Sequence, residues 1–101
     1  MAPKSLFRLR FEFNRIVCGP GGDFSSYGNK IIASAEAAKL KEMNEETIKC
    51  LQYVSGLKAS EYIEVRSKLL QRLDKDKPVT LVDLIAQSEA IKATIDYTKS
   101  I

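Results

Sequence analysis

Apolar positions recur every three or four residues along most of this chain, which is the spacing of amphipathic helices. Phe24, Tyr27, Ile31, Ala35 and Ala38 form one such run, with Asp23 placed as its N-cap. Ala33, Ala35, Ala37 and Ala38 raise helix propensity there and allow a neighbour to approach closely. A polar connector from Lys39 to Met43, with Leu40 as its one anchor, leads to a third helix. Asn44 caps that helix, Glu45 and Glu46 suit its positive end, and Gly56 supplies its stop. Its Ile48, Cys50, Leu51, Tyr53 and Val54 cover more than one stripe, so the helix is central or committed to a partner. Ser60 opens a fourth helix with Tyr62, Val65, Leu69 and Leu73 on one side and Glu61, Glu64, Arg66, Lys68 and Arg72 toward solvent. After the turn at Lys75-Asp76-Lys77-Pro78, Thr80 caps the last helix, with Asp83 at its third position. Leu81, Leu84, Ile85, Ile91 and Ile95 are expected on its inner side.

The first segment fits two patterns. Phe7, Leu9, Phe11 and Phe13 alternate with polar residues as a strand would, while Leu6, Leu9, Phe13, Ile16 and Val17 fit a helical face. A lone strand before an otherwise helical chain has no partner, which favours an entry helix over residues 5–17. Residues 1–4 are expected to stand outside the fold. The strongest break is Cys18-Gly19-Pro20-Gly21-Gly22, which holds three of the five glycines and one of the three prolines. The expected architecture is a single all-α domain over residues 1–101, a compact bundle of four to five short helices.

Composition narrows the function classes. At 101 residues one modest core is available, and such domains often gain stability by self-association. The 16 basic and 13 acidic residues give a net charge of only +3, scattered without a cluster, so a dedicated nucleic-acid footprint is not expected. With no histidine, Ser-His-Asp and Cys-His chemistry is impossible. Gly19-Pro20-Gly21-Gly22 lacks the spacing and the following Lys-Ser/Thr of a phosphate loop, and its proline removes a donor. Cys18 and Cys50 cannot make a four-ligand zinc site and read as reduced, half-buried packing residues of an intracellular protein. No enzyme, metal or cofactor is expected, nor any membrane span, and a cytoplasmic site follows by default.

Several phrases from Val17 onward occur in a familiar order. Gly19-Pro20, Phe24, Tyr27 and Ile31 fall at the spacings of the major homology region of retroviral capsids. Asn44 to Leu57, ending Tyr53-Val54-Ser55-Gly56-Leu57, is similar to a helix of metazoan retrotransposon Gag proteins. Ile63 to Leu73, with Arg66 and Leu69-Leu70, and then Thr80-Leu81 with Leu84, resemble the two helices that follow there. Taken in order, the chain from residue 18 to 101 resembles the capsid C-terminal lobe of Gag from gypsy-class LTR retrotransposons, or from a host gene derived from one.

The resemblance implies a structural capsid module that self-associates to build a Gag shell around retrotransposon RNA, in cytoplasmic virus-like particles. Its partners would be a second copy and neighbouring Gag lobes, with RNA bound weakly or through other Gag regions. It also implies a symmetric contact through Thr47, Ile48 and Leu51, with Gln52 beside them. Ile48 and Leu51 fit a simple core role equally well. The segment Gly19, Pro20, Asp23, Phe24, Tyr27, Lys30 and Ile31 departs from the retroviral pattern. Cys18 stands in place of Gln, Gly22 in place of the acidic residue, and Lys30 in place of Arg. The buried polar brace of the retroviral form is therefore not expected. Asp23 as an N-cap and an apolar brace through Phe24, Tyr27 and Ile31 would replace it. Two alternatives remain: a domesticated Gag-derived dimerisation or protein-interaction domain, and a small basic helical nucleic-acid binder.

Overall fold

The computed structural model describes residues 4–100. Residues 1–3, placed outside the fold by the sequence, lie outside the described residues, as does residue 101; Lys4 does not stand apart, because it pairs with Glu12 at 2.7 Å. The described residues form helices joined by turns, without strands: α1 (Leu6–Phe13), α2 (Phe24–Ala37), α3 (Glu45–Ser55), α4 (Ile63–Leu73) and α5 (Leu81–Ser100). Short 3-10 turns at Leu40–Glu42 and Ser60–Tyr62 lead into α3 and α4.

Local chemistry sets most helix starts. Ser5, Asp23 and Asn44 each accept a hydrogen bond from the backbone N–H three residues on, at the start of α1, α2 and α3. At α5 the bonds are reciprocal: Asp83 N–H donates to Thr80 Oγ1 (3.2 Å) and Thr80 N–H donates to Asp83 Oδ2 (3.1 Å). α3 ends at Gly56, whose backbone stays right-handed (φ −77°). The left-handed turns fall instead on Lys39 (φ 51°) and Asp76 (φ 53°), which redirect the chain after α2 and after α4.

The core is built by α1, α3, α4 and α5. Phe7 and Phe11 meet Cys50, Leu51, Val54, Val65, Leu69, Leu70, Leu73, Leu84 and Ile91, with Leu69, Val54 and Leu84 fully enclosed. Polar staples tie these helices at their ends. Glu46 Oε1 accepts from the Leu81 N–H at the start of α5 (2.9 Å), so this carboxylate serves a neighbouring helix terminus as well as its own. Tyr53 donates to Ser88 Oγ (3.0 Å), and Arg72 donates to Gln87 (3.0 Å). Ser5 Oγ and Arg8 both donate to Asp74, at 2.7 and 2.8 Å, locking the start of α1 to the end of α4.

Several expected faces are displaced. α1 stops at Phe13 and buries Phe7, Arg10 and Phe11 rather than the stripe from Leu6 to Val17. The short helix has neighbours on three sides, α2, α3 and α4. Past its end Val17 is 78% exposed. Tyr62 falls in the 3-10 turn ahead of α4 and Ile85 turns to the rim of α5, so both are substantially exposed. Cys18 is exposed and only Cys50 is buried; both are free thiols. Burial pushes the Cys50 thiol above its ordinary pKa, assisted by Glu46 and Asp83, which keeps it protonated as a packing residue.

α2 stands apart from this body. It packs chiefly on α1 and contains no buried residue, although it is 14 residues long. The molecule measures 53 × 32 × 29 Å with a radius of gyration of 15.8 Å, against roughly 13 Å for a globular chain of this length.

Candidate functional site

The glycine-rich break makes the turn that launches α2. Gly22 N–H donates to Gly19 O (3.1 Å) across Pro20 and Gly21, and Gly21 has the positive φ (71°) that a type II turn requires at its third position. Gly22 is also sterically fixed, because a Cβ there would sit 3.0 Å from Gly19 O and 3.2 Å from Cys18 Sγ. Asp23 then receives both the Ser26 N–H (2.9 Å) and the Ser26 hydroxyl (2.8 Å). These bonds, the backbone one foremost, hold its carboxyl below the ordinary carboxylate range.

From this start α2 presents the stripe the sequence marks, but the stripe is covered only in part. Tyr27, Ile31 and Ala35 are half-buried and Ala38, just past the helix end, is fully enclosed. Phe24, at the other end of the stripe, is 83% exposed, so it braces nothing. Lys30, Gly19 and Pro20 are also exposed. The expected apolar brace thus reduces to Tyr27 and Ile31, because α1 is only 8 residues long and cannot cover the full length of α2.

What anchors α2 is a residue the sequence reading assigned no role. Arg10 of α1 is 7% exposed and donates from Nε to Ala38 O (2.9 Å) and from Nη2 to Lys39 O (3.0 Å). These carbonyls end α2, where a cation is favoured by the unpaired acceptors and the helix dipole. Desolvation lowers the guanidinium pKa from its ordinary value, while Glu42 and Asp76 oppose that shift, and a guanidinium in a protein stays charged. Arginine inside an alternating apolar–polar segment gives no sequence signal of burial. Only its place opposite a helix C-terminus does, and that is a tertiary fact.

The expected symmetric contact on α3 is divided. Ile48 is 53% exposed and shares an outward face with Gln52, one turn on. Thr47 is half-buried, and its hydroxyl donates to the Asn44 cap (2.9 Å). Leu51 lies in the core at 6% exposure, so it is unavailable to a partner. Leu51 joins the core cluster with Val54, Leu69 and Leu84, whereas Ile48, three residues earlier, lies on the exposed side of the same helix. The Gly56-Leu57 phrase and the Arg66 helix, quoted separately in the sequence, meet in space: Arg66 donates to Leu57 O (2.9 Å).

Exposed apolar side chains are the main surface feature. Val17, Phe24, Ile32, Ile48, Ile63, Val82 and Tyr97 are each more than half exposed. Among the described residues no group of His, Cys, Asp or Glu is arranged to hold a metal ion, and no helix is long and apolar enough to cross a membrane. Compared with family models, curated proteins and solved structures, the chain matches none of them.

Proposed function

We propose that this domain is a non-enzymatic structural module that self-associates to build a larger shell, as the resemblance to retrotransposon Gag capsids implies. The particles would be cytoplasmic and would enclose RNA held by other parts of the parent polypeptide. One observation carries the reading. The chain exposes 7404 Å², whereas a folded monomer of its mass exposes about 5,700 Å². The excess, about 1,700 Å², compares with the roughly 800 Å² that each partner buries in a standard protein interface. It is therefore enough for two contacts of ordinary size. A single two-fold contact closes at a dimer, and a second, different contact is what lets an assembly propagate. Ile32 on the outward face of α2 and Ile48 on that of α3 are exposed apolar side chains around which two such contacts would centre.

Sedimentation equilibrium from low to high micromolar concentration tests the reading, with concentration-dependent association expected. Ile48→Asp places an unpaired charge where a contact would desolvate it. Its stability should stay within about 0.5 kcal/mol of the parent, because the side chain touches solvent, while the larger assemblies weaken. A wild-type chain that remains monomeric into the high micromolar range contradicts an assembly role.

A further inference from the structure

Within the self-association reading, on which this rests, we infer that the outer flank of α2 is a two-fold contact in which a second copy's α2 packs antiparallel, with Ile32 of each chain seated over Gly28 of the other. Three observations converge. α2 buries no residue of its own and leaves Phe24 and Ile32 at 83% and 60% exposure. A helix of this length with half-covered apolar positions is marginal without tertiary packing. The surplus accessible surface is about twice what a second copy would cover in a contact of ordinary size, so one such contact can be accommodated.

The third observation is Gly28 itself. Glycine inside a helix is unfavourable relative to alanine, and its usual justifications are a positive φ or a close neighbour. Gly28 has neither: its φ is not positive, and a Cβ built on it would meet nothing within 4 Å. The space above it is empty in the single chain. Phe24, Gly28, Ile32 and Glu36 lie four residues apart, so they form one ridge along the helix with a notch at Gly28. Ridges of this kind interdigitate when two helices cross, and a two-fold axis midway between Gly28 and Ile32 places each isoleucine against the other chain's notch. The same axis brings Phe24 beside the aliphatic stem of the other copy's Glu36.

Sedimentation equilibrium and thermal melts on wild type, Gly28→Ala, Ile32→Ser and Ile32→Asp test this. Gly28→Ala should keep the helical circular dichroism spectrum and melt at or above the wild-type temperature when both are dilute enough to be monomeric. Its dimer should nevertheless be about tenfold weaker, because the methyl fills the notch. Ile32→Ser should weaken the dimer while leaving the fold intact, and Ile32→Asp should abolish it over the accessible range. A wild type that dimerises while Gly28→Ala and both Ile32 variants dimerise equally well overturns this contact and leaves self-association standing. A Gly28→Ala dimer tighter than wild type also overturns it. A wild type that never associates overturns both readings together.

Discussion

The four-helix body and α2 are built from similar sequence material and reach opposite outcomes. α4 spans 11 residues and buries Val65, Leu69, Leu70 and Leu73; α2 spans 14 and buries none. Both carry apolar residues at helical spacing. The difference lies in how many neighbours each one has. α4 touches α1, α3 and α5, so each turn of its stripe finds a covering surface. α2 has α1 as its chief neighbour, and a helix of 8 residues is too short to roof it. Amphipathic periodicity therefore reports which side of a helix wants cover. Whether cover is supplied within one chain depends on the lengths and order of the other elements.

The largest expected effect is in the body. Leu69→Ala or Leu84→Ala removes a fully enclosed side chain, which should cost about 2–5 kcal/mol and lower the melting temperature of the whole domain by ten degrees or more. An isolated loss confined to one helix would mean that the body is not one cooperative unit. Next comes the hinge between the two regions. Arg10→Met keeps most of the aliphatic bulk but leaves the Ala38 and Lys39 carbonyls without their donor, a loss of about 1–3 kcal/mol. Amide exchange should accelerate in α2 more than in α4; equal acceleration in both would show Arg10 to be an ordinary core residue.

The smallest effect is electrostatic and belongs to the body alone. The hydrogen bond from Arg8, then that from Ser5, hold the Asp74 carboxyl below the ordinary carboxylate range against an opposing desolvation. A folded-state pKa below the unfolded value of about 3.9 contributes stability that is complete above that value. The contribution is lost as pH falls through the depressed folded value. Asp74→Asn should therefore flatten the acid limb of the stability profile below pH ~4 and leave α2 exchange unchanged. An unaltered acid limb would show that the Ser5–Arg8–Asp74 staple is not coupled to folding.

What was legible in the sequence was what local chemistry decides. Asp23, Asn44 and Thr80 with Asp83 cap helices as their side-chain oxygens and spacing require, and the fold class follows from the 3.6-residue period. Partner choice was not legible. Leu51 and Ile48 are both aliphatic and three residues apart, yet one is core and the other faces solvent. Phe24 continues a true stripe beyond the end of the helix that covers it. Arg10 is buried only because a helix C-terminus, 28 residues on, arrives opposite it. The empty space over Gly28 carries no sequence signal apart from the glycine.

The contrast between body and α2 is tested most directly by hydrogen exchange of the α2 amides, followed at low and high protein concentration with α4 as the internal reference. Association through α2 should raise protection across Phe24–Ala37 as concentration rises, while the slow exchange of α4, set by its own core, changes far less. Protection in α2 that is the same at both concentrations, in a sample shown by sedimentation to span the monomer-to-dimer range, would contradict a second copy as the missing cover.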